Sequence, residues 1–338
     1  MRLYGGVDLH SNNNVLAVVN ERGGVVYRRR LRNELPMVLR ELEPYRAGMT
    51  GIAVESTFNW YWFVDGLMEA GYALHLANPA AMQQYAGLKH TDDAADATWL
   101  AEMLRLGILP EGYIYPREER SLRDLLRKRG QLVRHRTAHI LSIQNQWHRN
   151  TGHGLSSNAV KSLTAEQLES SMGDPDRVLA IQANLAVVAC LNEQLKPLER
   201  RILERGKQMP EFRPLQTVPG IGKVLGLTVL LETGRVSRFP SVGNYASYCR
   251  CVPSEKLSNG KRKGQGNTKN GNRYLAWAFG EAAHFAIRYY PPIRRFYQRK
   301  RARTKAMVAL KAVAHKLARA SYYVMRDQVS FDLVKSYG

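Results

Sequence analysis

The sequence contains few cysteines: only three of its 338 residues, Cys190, Cys249 and Cys251, are of this type. An odd number with a single Cys-x-Cys pair fits neither a disulfide framework nor a zinc ribbon. The sequence also lacks any run of about 18 consecutive apolar residues, which argues against a transmembrane helix. Its first residues, Met1–Asp8, lack the apolar core of a secretory signal. These absences predict a protein of the reducing cytoplasm with no membrane partner.

Acidic side chains are scarce, and their scarcity is uneven. The chain has 50 Lys and Arg against 29 Asp and Glu, a net charge of +21. Residues 1–110 hold 10 basic and 12 acidic side chains, whereas residues 256–338 hold 19 basic and 3 acidic ones. A basic surface favours a polyanion, because neutralised phosphates release their condensed counterions. A solvated basic tail is the alternative, but a near-neutral domain joined to a strongly basic one is more typical of an enzyme that holds nucleic acid.

Hydrophobic patterning divides the chain into three regions. In residues 1–116 a meander of three strands is followed by alternating helices and strands, which predicts an α/β domain with a mixed sheet. The predicted strands are Leu3–Leu9, Val15–Val19, Val25–Leu31, Gly51–Glu55, Ala73–Ala77 and an edge strand at Tyr113–Tyr115, and the predicted helices are Pro36–Tyr45, Phe58–Ala70 and Asp93–Leu106.

The second region, residues 117–207, is mainly helical. Two long helical stretches, Leu122–Trp147 and Asp176–Gly206, are separated by a break at Gly152–Ser157. This pattern predicts an antiparallel helical hairpin or coiled coil, which is a common dimerisation device. A single helical layer packed on the sheet is the alternative.

The third region, residues 208–338, is predicted to be mainly α-helical and basic. An apolar helix ends at Leu231, and an aromatic helix at Tyr245–Tyr248 leads into a loop over Val252–Gly271. Two helices complete the region, Arg273–Tyr289 and Pro291–Tyr323.

Four carboxylates stand where a metal site can form. Asp8 ends a strand of Gly and Val, and Glu55 ends a second apolar strand. Asp93 and Asp96 are three residues apart at a helix start, so both side chains can point to one place. Four such carboxylates can hold two Mg²⁺ ions about 4 Å apart, which suits phosphodiester chemistry. Taken singly, each has a simpler explanation as a turn former or a helix cap.

A serine among cations forms a second candidate site. Ser258 lies in a Gly-rich segment with Lys256, Lys261, Arg262 and Lys263. These cations suit an oxyanion and a phosphate, and they would activate a hydroxyl that is otherwise a poor nucleophile. The alternative is a turn that only touches phosphates.

Further cations predict contacts with nucleic acid. The turn at Gly220 and Gly222, followed by Lys223, resembles a helix-hairpin-helix whose backbone N–H groups meet a phosphate, although a plain interhelical turn is equally compatible. Cations at a helix start and cations interleaved with aromatic residues suit phosphate contact and base stacking, a solvated helix face being the alternative. These cations are Lys269, Arg273, Arg294, Arg295, Arg299 and Lys300.

Taken in order, these residues resemble the DEDD transposases of the one-ten family of bacterial insertion sequences. The motifs that carry the resemblance are Gly6–Asp8, Val54–Thr57, Asn78-Pro79, Asp93–Ala97, Val218–Gly222, Val252-Pro253, Ser258–Lys261 and Lys269–Leu275. The resemblance implies a ribonuclease-H-like (RuvC-like) α/β domain with a mixed sheet over residues 1–116. It also implies a coiled-coil connector over residues 117–207 and a basic, mainly α transposase domain with the serine over residues 208–338.

The resemblance also implies a mechanism. Asp8, Glu55, Asp93 and Asp96 would bind Mg²⁺, and Ser258 would attack DNA to give a covalent phosphoserine. A structured RNA from the element would guide the enzyme to donor and target DNA. Dimers and tetramers would assemble, with carboxylates and serine contributed by different subunits.

Two departures from the family pattern leave alternatives open: Asp92 competes with Asp93, and Ser254 with Ser258. Two other functions also remain. A hydrolytic nuclease acting on junctions or other DNA structures would need the carboxylates but no serine, and would leave no protein–DNA adduct. A non-catalytic regulator that binds DNA or RNA would need neither.

Overall fold

The computed structural model describes residues 1–82, 93–252, 255–265 and 270–337, apart from the side chains of residues 93, 94, 255–257, 262 and 265. The chain divides into two compact units. The first unit comprises Met1–Arg117 and Ser254–Asn270, and the second comprises Glu118–Pro253 and Gly271–Gly338.

The first unit is built on a five-stranded mixed sheet of order β3-β2-β1-β4-β5. The meander β1–β2–β3 is antiparallel, and β4 and β5 run parallel to β1. The central strands are buried over most of their length, as expected for strands that are covered on both faces. The predicted α/β domain with a mixed sheet is thereby confirmed. The strands are β1 Leu3–Leu9, β2 Asn13–Asn20, β3 Val25–Arg32, β4 Met49–Glu55 and β5 Leu74–Ala77.

Helices cover both faces of this sheet. On one face Val7, Leu16 and Ile52 form a core with Phe63 and Leu67 of α2 and with residues of α1. On the other face the small residues of the sheet pack against α4. The alternation of side chains along each strand therefore separates an apolar core face from a face that a single helix covers closely. The helices of this unit are α1 Leu35–Leu42, α2 Trp60–Glu69, α3 Pro79–Met82 and α4 Asp93–Arg105, and a 3₁₀ helix spans Glu43–Gly48.

The predicted edge strand Tyr113–Tyr115 is wrong. The chain touches the free edge of β5 through one isolated bridge, Ala77 to Glu111, and through a hydrogen bond from the Gly112 amide to the Leu76 carbonyl. It then leaves the edge to enter the next helix at Arg117, so no strand forms.

The second unit contains two long antiparallel helices, α5 and α8. Arg136 of α5 bonds to Asn192 of α8, and His139 of α5 bonds to Asn184 of α8. Residue numbers therefore increase along one helix as they decrease along the other, which makes the pair antiparallel. Among the described residues, one helix, α8, is long and apolar enough to cross a membrane, with a mean hydropathy of 1.4 in its most apolar window. A single helix of this kind is weak evidence for a membrane span. The helices are α5 Arg117–Thr151, α6 Ser157–Lys161, α7 Ala165–Met172 and α8 Pro175–Gly206.

The remainder of the second unit is an all-helical core. Leu215, Tyr245, Phe279 and Leu317 lie at its centre, and Leu122 from the start of α5 packs into the same cluster. The helices here are α9 Phe212–Leu215, α10 Lys223–Thr233, α11 Val242–Tyr248, α12 Arg273–Tyr289, α13 Pro291–Arg301, α14 Ala306–Asp327 and α15 Leu333–Tyr337.

Two predictions for the third region need correction. The single helix predicted over Pro291–Tyr323 is two helices, α13 and α14, with a break after Arg301. Lys305, the residue before α14, has an extended backbone with φ −65° and ψ 146°, which interrupts the helical hydrogen-bond pattern between the two helices. The predicted loop contains a β-hairpin of β6, Glu255–Ser258, and β7, Lys261–Gln265.

Candidate active site and nucleic-acid surface

Asp8 and Glu55 lie at the carboxyl ends of neighbouring parallel strands, on the same face of the sheet. Strands β1 and β4 are paired through Gly6 with Ala53 and through Val7 with Val54, and each carboxylate is the residue that follows this second pair. Because side chains alternate along a strand, Asp8 shares a face with Gly6, and Glu55 shares a face with Ala53. Ala53 packs against α4, so both carboxylates belong to the face that α4 covers.

Helix α4 approaches β1 at backbone distance. A Cβ atom on Gly6 would lie 2.0 Å from the Ala97 carbonyl oxygen and 2.6 Å from the Ala101 nitrogen. Ala97 also packs against Val15, which is the direct cross-strand partner of Asp8. The amino end of α4, which carries Asp96 immediately before Ala97, therefore lies at the Asp8 end of the sheet.

Asp8 is held in a polar environment that sequence reading missed. Its side chain is 6% exposed, and its Oδ2 lies 3.2 Å from Nε2 of His10. The backbone carbonyl of His10 accepts hydrogen bonds from Asn33 Nδ2 at 3.0 Å and from Asn59 Nδ2 at 2.8 Å. The Thr57 hydroxyl donates to Asn59 Oδ1 at 2.8 Å. Asn59 therefore joins the segment after β1 to the segment after β4, the two strands that carry the carboxylates.

The chemistry of these residues fits a hard divalent cation. Carboxylate oxygens are the ligands that Mg²⁺ prefers. Asp8, Glu55 and Asp96 supply such oxygens, and Asp93 is the first residue of α4. Among the side chains that are described, no group of three or more His, Cys, Asp or Glu is already arranged to hold a metal. The side chain of Asp93 and the alternative residue Asp92 lie outside the described residues.

Ser258 stands at the tip of the hairpin with its side chain exposed. It is the last residue of β6 and pairs directly with Lys261 of β7. The two residues between them, Asn259 and Gly260, both have positive φ values, 49° and 70°. This is a two-residue Asn-Gly turn of the I′ type, which is the strongest short-range signal of a hairpin in a sequence. The prediction of a loop here did not use this signal.

The other cations predicted beside Ser258 are only partly described. The Lys261 and Lys263 side chains are exposed on β7. For Lys256 and Arg262 the structure gives the strand backbone alone. Ser254 and Lys269 lie outside the described residues.

The residues before and after the hairpin segment are bonded to each other within the second unit. Arg250, with a positive φ of 55°, donates from Nη2 to the Gly271 carbonyl at 2.9 Å. Gly271 has a φ of 83°, and a Cβ atom there would lie 2.7 Å from the Tyr248 carbonyl oxygen. The Asn272 amide donates to that same carbonyl at 2.6 Å, and its side chain caps α12. The close approach explains why glycine occupies position 271.

A buried carboxylate, Glu232, holds Asn272 in place beside the hairpin segment. This residue was not identified from the sequence. Its side chain is 1% exposed at the end of the apolar helix α10. It accepts hydrogen bonds from Arg127 at 2.6 and 2.8 Å, from Arg123 at 3.3 Å and from Asn272 Nδ2 at 2.8 Å. Burial by itself would raise the pKa of Glu232, but the bonds and charges of Arg127 and Arg123 outweigh it, and the pKa lies below its ordinary value. A single Glu in an apolar helix was the available signal.

In the turn before α10, the structure explains one of the two glycines that were predicted to contact phosphate. Gly220 has a φ of 81°, and a Cβ atom there would lie 2.1 Å from the Ala282 carbonyl oxygen, so its role is close packing on α12. Gly222 has open space around it and precedes α10, and Lys223 is exposed. These two residues remain predicted phosphate contacts. The helix before the turn, α9, is a single turn of Phe212–Leu215.

The predicted cations of α12 and α13 lie on exposed positions. Arg273, Arg295, Arg299 and Lys300 are exposed, and their contacts with nucleic acid stay predictions. Arg294 differs, because its guanidinium donates to the Ile287 carbonyl at 3.1 Å and to the Arg288 carbonyl. It therefore satisfies carbonyls at the carboxyl end of α12.

Comparison with known proteins follows the same order along the chain. Residues 5–148 match a transposase family model named for DEDD transposases of IS110, and residues 213–298 match the model of the IS116/IS110/IS902 transposase family. Together these matches cover both the carboxylate-bearing strands and the hairpin with its flanking helices.

Three similar proteins, all from bacteria, match parts of the same chain. A probable family 20 transposase of Pseudomonas aeruginosa is 25% identical over 297 residues, which are 84% of this chain and 83% of that protein. The 43.6 kDa protein of insertion element IS110 from Streptomyces coelicolor is 27% identical over 146 residues, and the 44.8 kDa protein of IS116 from Streptomyces clavuligerus is 26% identical over 145 residues. The matches to these two Streptomyces proteins span 36% of each relative's length. With both models matched in order along one chain, this chain carries the two transposase domains of the IS110/IS116/IS902 type.

Proposed function

We propose that the protein is a DNA transposase that cuts and rejoins DNA strands, with Asp8, Glu55, Asp93 and Asp96 as its metal ligands and Ser258 as its nucleophile. The observation that carries this proposal is the placement of Asp8 and Glu55 at the ends of adjacent strands beneath the amino end of α4. A five-stranded mixed sheet with a carboxylate at the end of its first strand also supports a ribonuclease-H-like (RuvC-like) domain.

The carboxylates would act through divalent metal ions. Two Mg²⁺ ions, when bound, would favour deprotonation of an attacking hydroxyl and stabilise the leaving oxygen of the phosphodiester. The chain contributes the positions of the ligands. The Gly6 contact with Ala97 sets the distance between α4 and the sheet, and Asn59 links the segments that follow Asp8 and Glu55. Preorganised ligands of this kind avoid a reorganisation cost during the reaction.

Ser258 is suited to attack a phosphate. Its oxygen would form a bond to phosphorus as the bond to one strand oxygen breaks; the hydroxyl proton passes to a base, and the departing oxygen takes up a proton. A strand hydroxyl of the second DNA then attacks the phosphoserine and loses its proton to a base. The bond from phosphorus to the Ser258 oxygen breaks and that oxygen takes up a proton, so the number of phosphoester bonds is conserved. The exposed tip of the hairpin and the paired Lys261 support this role. Ser258 also lies in the same compact unit as the carboxylates.

The partners of the reaction would be DNA, a structured guide RNA and further copies of this chain in the cytoplasm. The exposed cations of the second unit support nucleic-acid binding. The long helices support oligomerisation as a coiled coil, because Leu141 of α5 and Leu179 and Val187 of α8 are exposed. A helical pair with apolar side chains on its outside is typical of a surface that a second copy covers.

The test is an SDS-resistant adduct assay with Mg²⁺, labelled DNA spanning the element junction and RNA transcribed from the element's end. We expect an adduct with the wild type and none with Ser258→Ala or Asp8→Asn. Asp65→Asn, which changes a carboxylate on α2 of the same unit, is the matched control and should keep the adduct. An adduct that survives Ser258→Ala but is lost with Ser254→Ala would move the nucleophile. Cleavage without an adduct in any variant would favour the hydrolytic nuclease.

A further inference from the structure

Helix α12 exposes three large aromatic side chains in the second unit. Trp277 is 48% exposed, Phe285 46% and Tyr289 60%. Their positions differ by multiples of four, so they lie on one side of the helix. The rings of Phe285 and Tyr289 are nearly parallel, with an interplanar angle of 11° and centroids 6.4 Å apart.

These aromatic residues do not serve the core of the unit. The opposite side of α12, with Leu275, Phe279 and Ala282, is fully buried and already anchors the helix. Single exposed apolar residues are common on protein surfaces, but a group of aromatic rings on one helix face indicates an interaction surface.

The charge of this face selects the partner. Arg273 and Arg288 are exposed on α12, and the Arg288 guanidinium lies 5.3 Å from the centroid of Tyr289. Glu281 lies four residues from both Trp277 and Phe285, and it is the one acidic residue among eight Lys and Arg from Arg273 to Arg303. Like charges oppose the pairing of this face with a second copy of itself, whereas a polyanion with π faces complements both its rings and its cations.

We propose that the exposed face of α12 is a stacking platform for unpaired nucleotides. Their bases would stack on Trp277, Phe285 and Tyr289, and their phosphates would meet Arg273 and Arg288. In a duplex the π faces of the bases are already stacked on one another, so the platform discriminates single strands from duplexes. The proposal deepens the proposed function, since it rests on the nucleic-acid binding assigned there, but it does not depend on the carboxylates or on Ser258.

The experiment measures the affinity of the full chain for labelled oligomers of about 16 nucleotides, the upper site size of such surfaces. The oligomers are oligo(dT), oligo(U), an abasic strand of equal charge and a duplex. We expect Trp277→Ala and Phe285→Ala to weaken oligo(dT) and oligo(U) binding by about 5- to 100-fold each. The abasic strand and the duplex should bind as they do to the wild type. Comparison of oligo(dT) with oligo(U) identifies DNA or RNA as the preferred strand.

Three variants serve as controls. Trp277→Phe keeps a ring and should retain most of the affinity, which separates stacking from folding. Tyr323→Ala removes an exposed ring beside Arg326, whose charge is balanced by Asp327 at 2.7 Å, and should change nothing. Arg288→Ala should weaken all four oligomers and reduce the salt slope by about 0.7 for single strands.

Several outcomes would overturn the platform. Unchanged oligo(dT) and oligo(U) binding by Trp277→Ala and Phe285→Ala would do so, as would an equal loss for the abasic strand and the duplex. A smaller oligomer in sedimentation, with unchanged single-strand binding, would assign the face to a second copy. A wild type that binds none of the oligomers would instead refute the nucleic-acid binding of the proposed function.

Discussion

Replacing Gly6 by alanine tests whether the contact between α4 and β1 positions the carboxylates. The added Cβ atom would lie 2.0 Å from the Ala97 carbonyl oxygen, and a real Cβ contact needs at least 3.0 Å. The clashing atoms belong to the backbone of α4, so no side-chain rotation relieves them. Helix α4 must therefore move by about 1 Å away from the sheet, the difference between these distances.

The expected effects on stability and on activity differ in size. Overpacking of this kind costs about 1–3 kcal/mol of the free energy of unfolding. Alanine in a strand recovers about 0.5–1 kcal/mol of that cost, because glycine loses more conformational freedom on folding. Activity should fall much further, since a displacement of about 1 Å at a catalytic group can reduce rates about 100-fold. Asp96, next to Ala97, moves with the helix.

The assay compares adduct formation and urea unfolding of Gly6→Ala with those of Gly5→Ala. The neighbouring glycine points to the other face, where its Cβ atom would lie 3.0 Å from Cγ1 of the buried Ile52 side chain, a contact that a shift of a few tenths of an ångström relieves. Gly5→Ala should therefore cost less stability than Gly6→Ala and leave adduct formation close to that of the wild type, because α4 is not displaced. Wild-type adduct formation by a folded Gly6→Ala variant would refute the idea that this contact positions the site.

Three further substitutions test other parts of the molecule. Glu232→Gln should lower the free energy of unfolding at pH 7 by about 3–5 kcal/mol, because it leaves Arg123 and Arg127 without their counter-charge. Since the folded-state pKa of Glu232 is lowered, this contribution is complete above the pKa of an unfolded Glu and is lost as the pH falls through the folded value. Urea unfolding at pH 7 and near pH 3 should show the difference closing, and a constant difference would contradict the ion-pair explanation. Asn59→Ala should raise the Mg²⁺ concentration needed for half-maximal adduct formation and weaken Mn²⁺ binding measured by calorimetry, whereas unchanged metal binding would make Asn59 merely structural. Gly260→Ala should reduce adduct formation and leave duplex binding intact, because a φ of 70° costs alanine about 1–2 kcal/mol; full adduct formation would show that the turn does not position Ser258.

The strands and their carboxylates were predictable because their signals are local. β1 was predicted with the bounds that the structure has, and β4 and α4 differ from their predicted bounds by one or two residues. An apolar strand that ends in Asp8 or Glu55 is visible in a few consecutive residues. The alternation of strand side chains then fixes which residues share a face, although the sequence does not give the partner strand.

The polar network around Asp8 and the hydrogen bonds of Glu232 were not predictable. Asn33 and Asn59 are separated by 26 positions. Both bond to the His10 carbonyl only because the segments that follow β1, β3 and β4 meet at the same end of the sheet. Arg127 and Glu232 are separated by 105 positions and belong to helices whose packing no local pattern reports. Such contacts form only when the tertiary structure brings these distant residues together.

The sequence alone indicated the order of strands β1–β5 and of helices α1, α2 and α4, the excess of positive charge in its last quarter and the residue types available for phosphate chemistry. Periodicity, charge and turn signals act over fewer than about 20 residues, so they are complete in the one-dimensional chain. Tertiary packing places α4 on Gly6, puts Asp8 and Glu55 on the face that this helix covers, and leaves Trp277 and Phe285 outside the core. Each of these facts depends on packing between distant segments, and at Gly6 that packing leaves no room for even one Cβ atom.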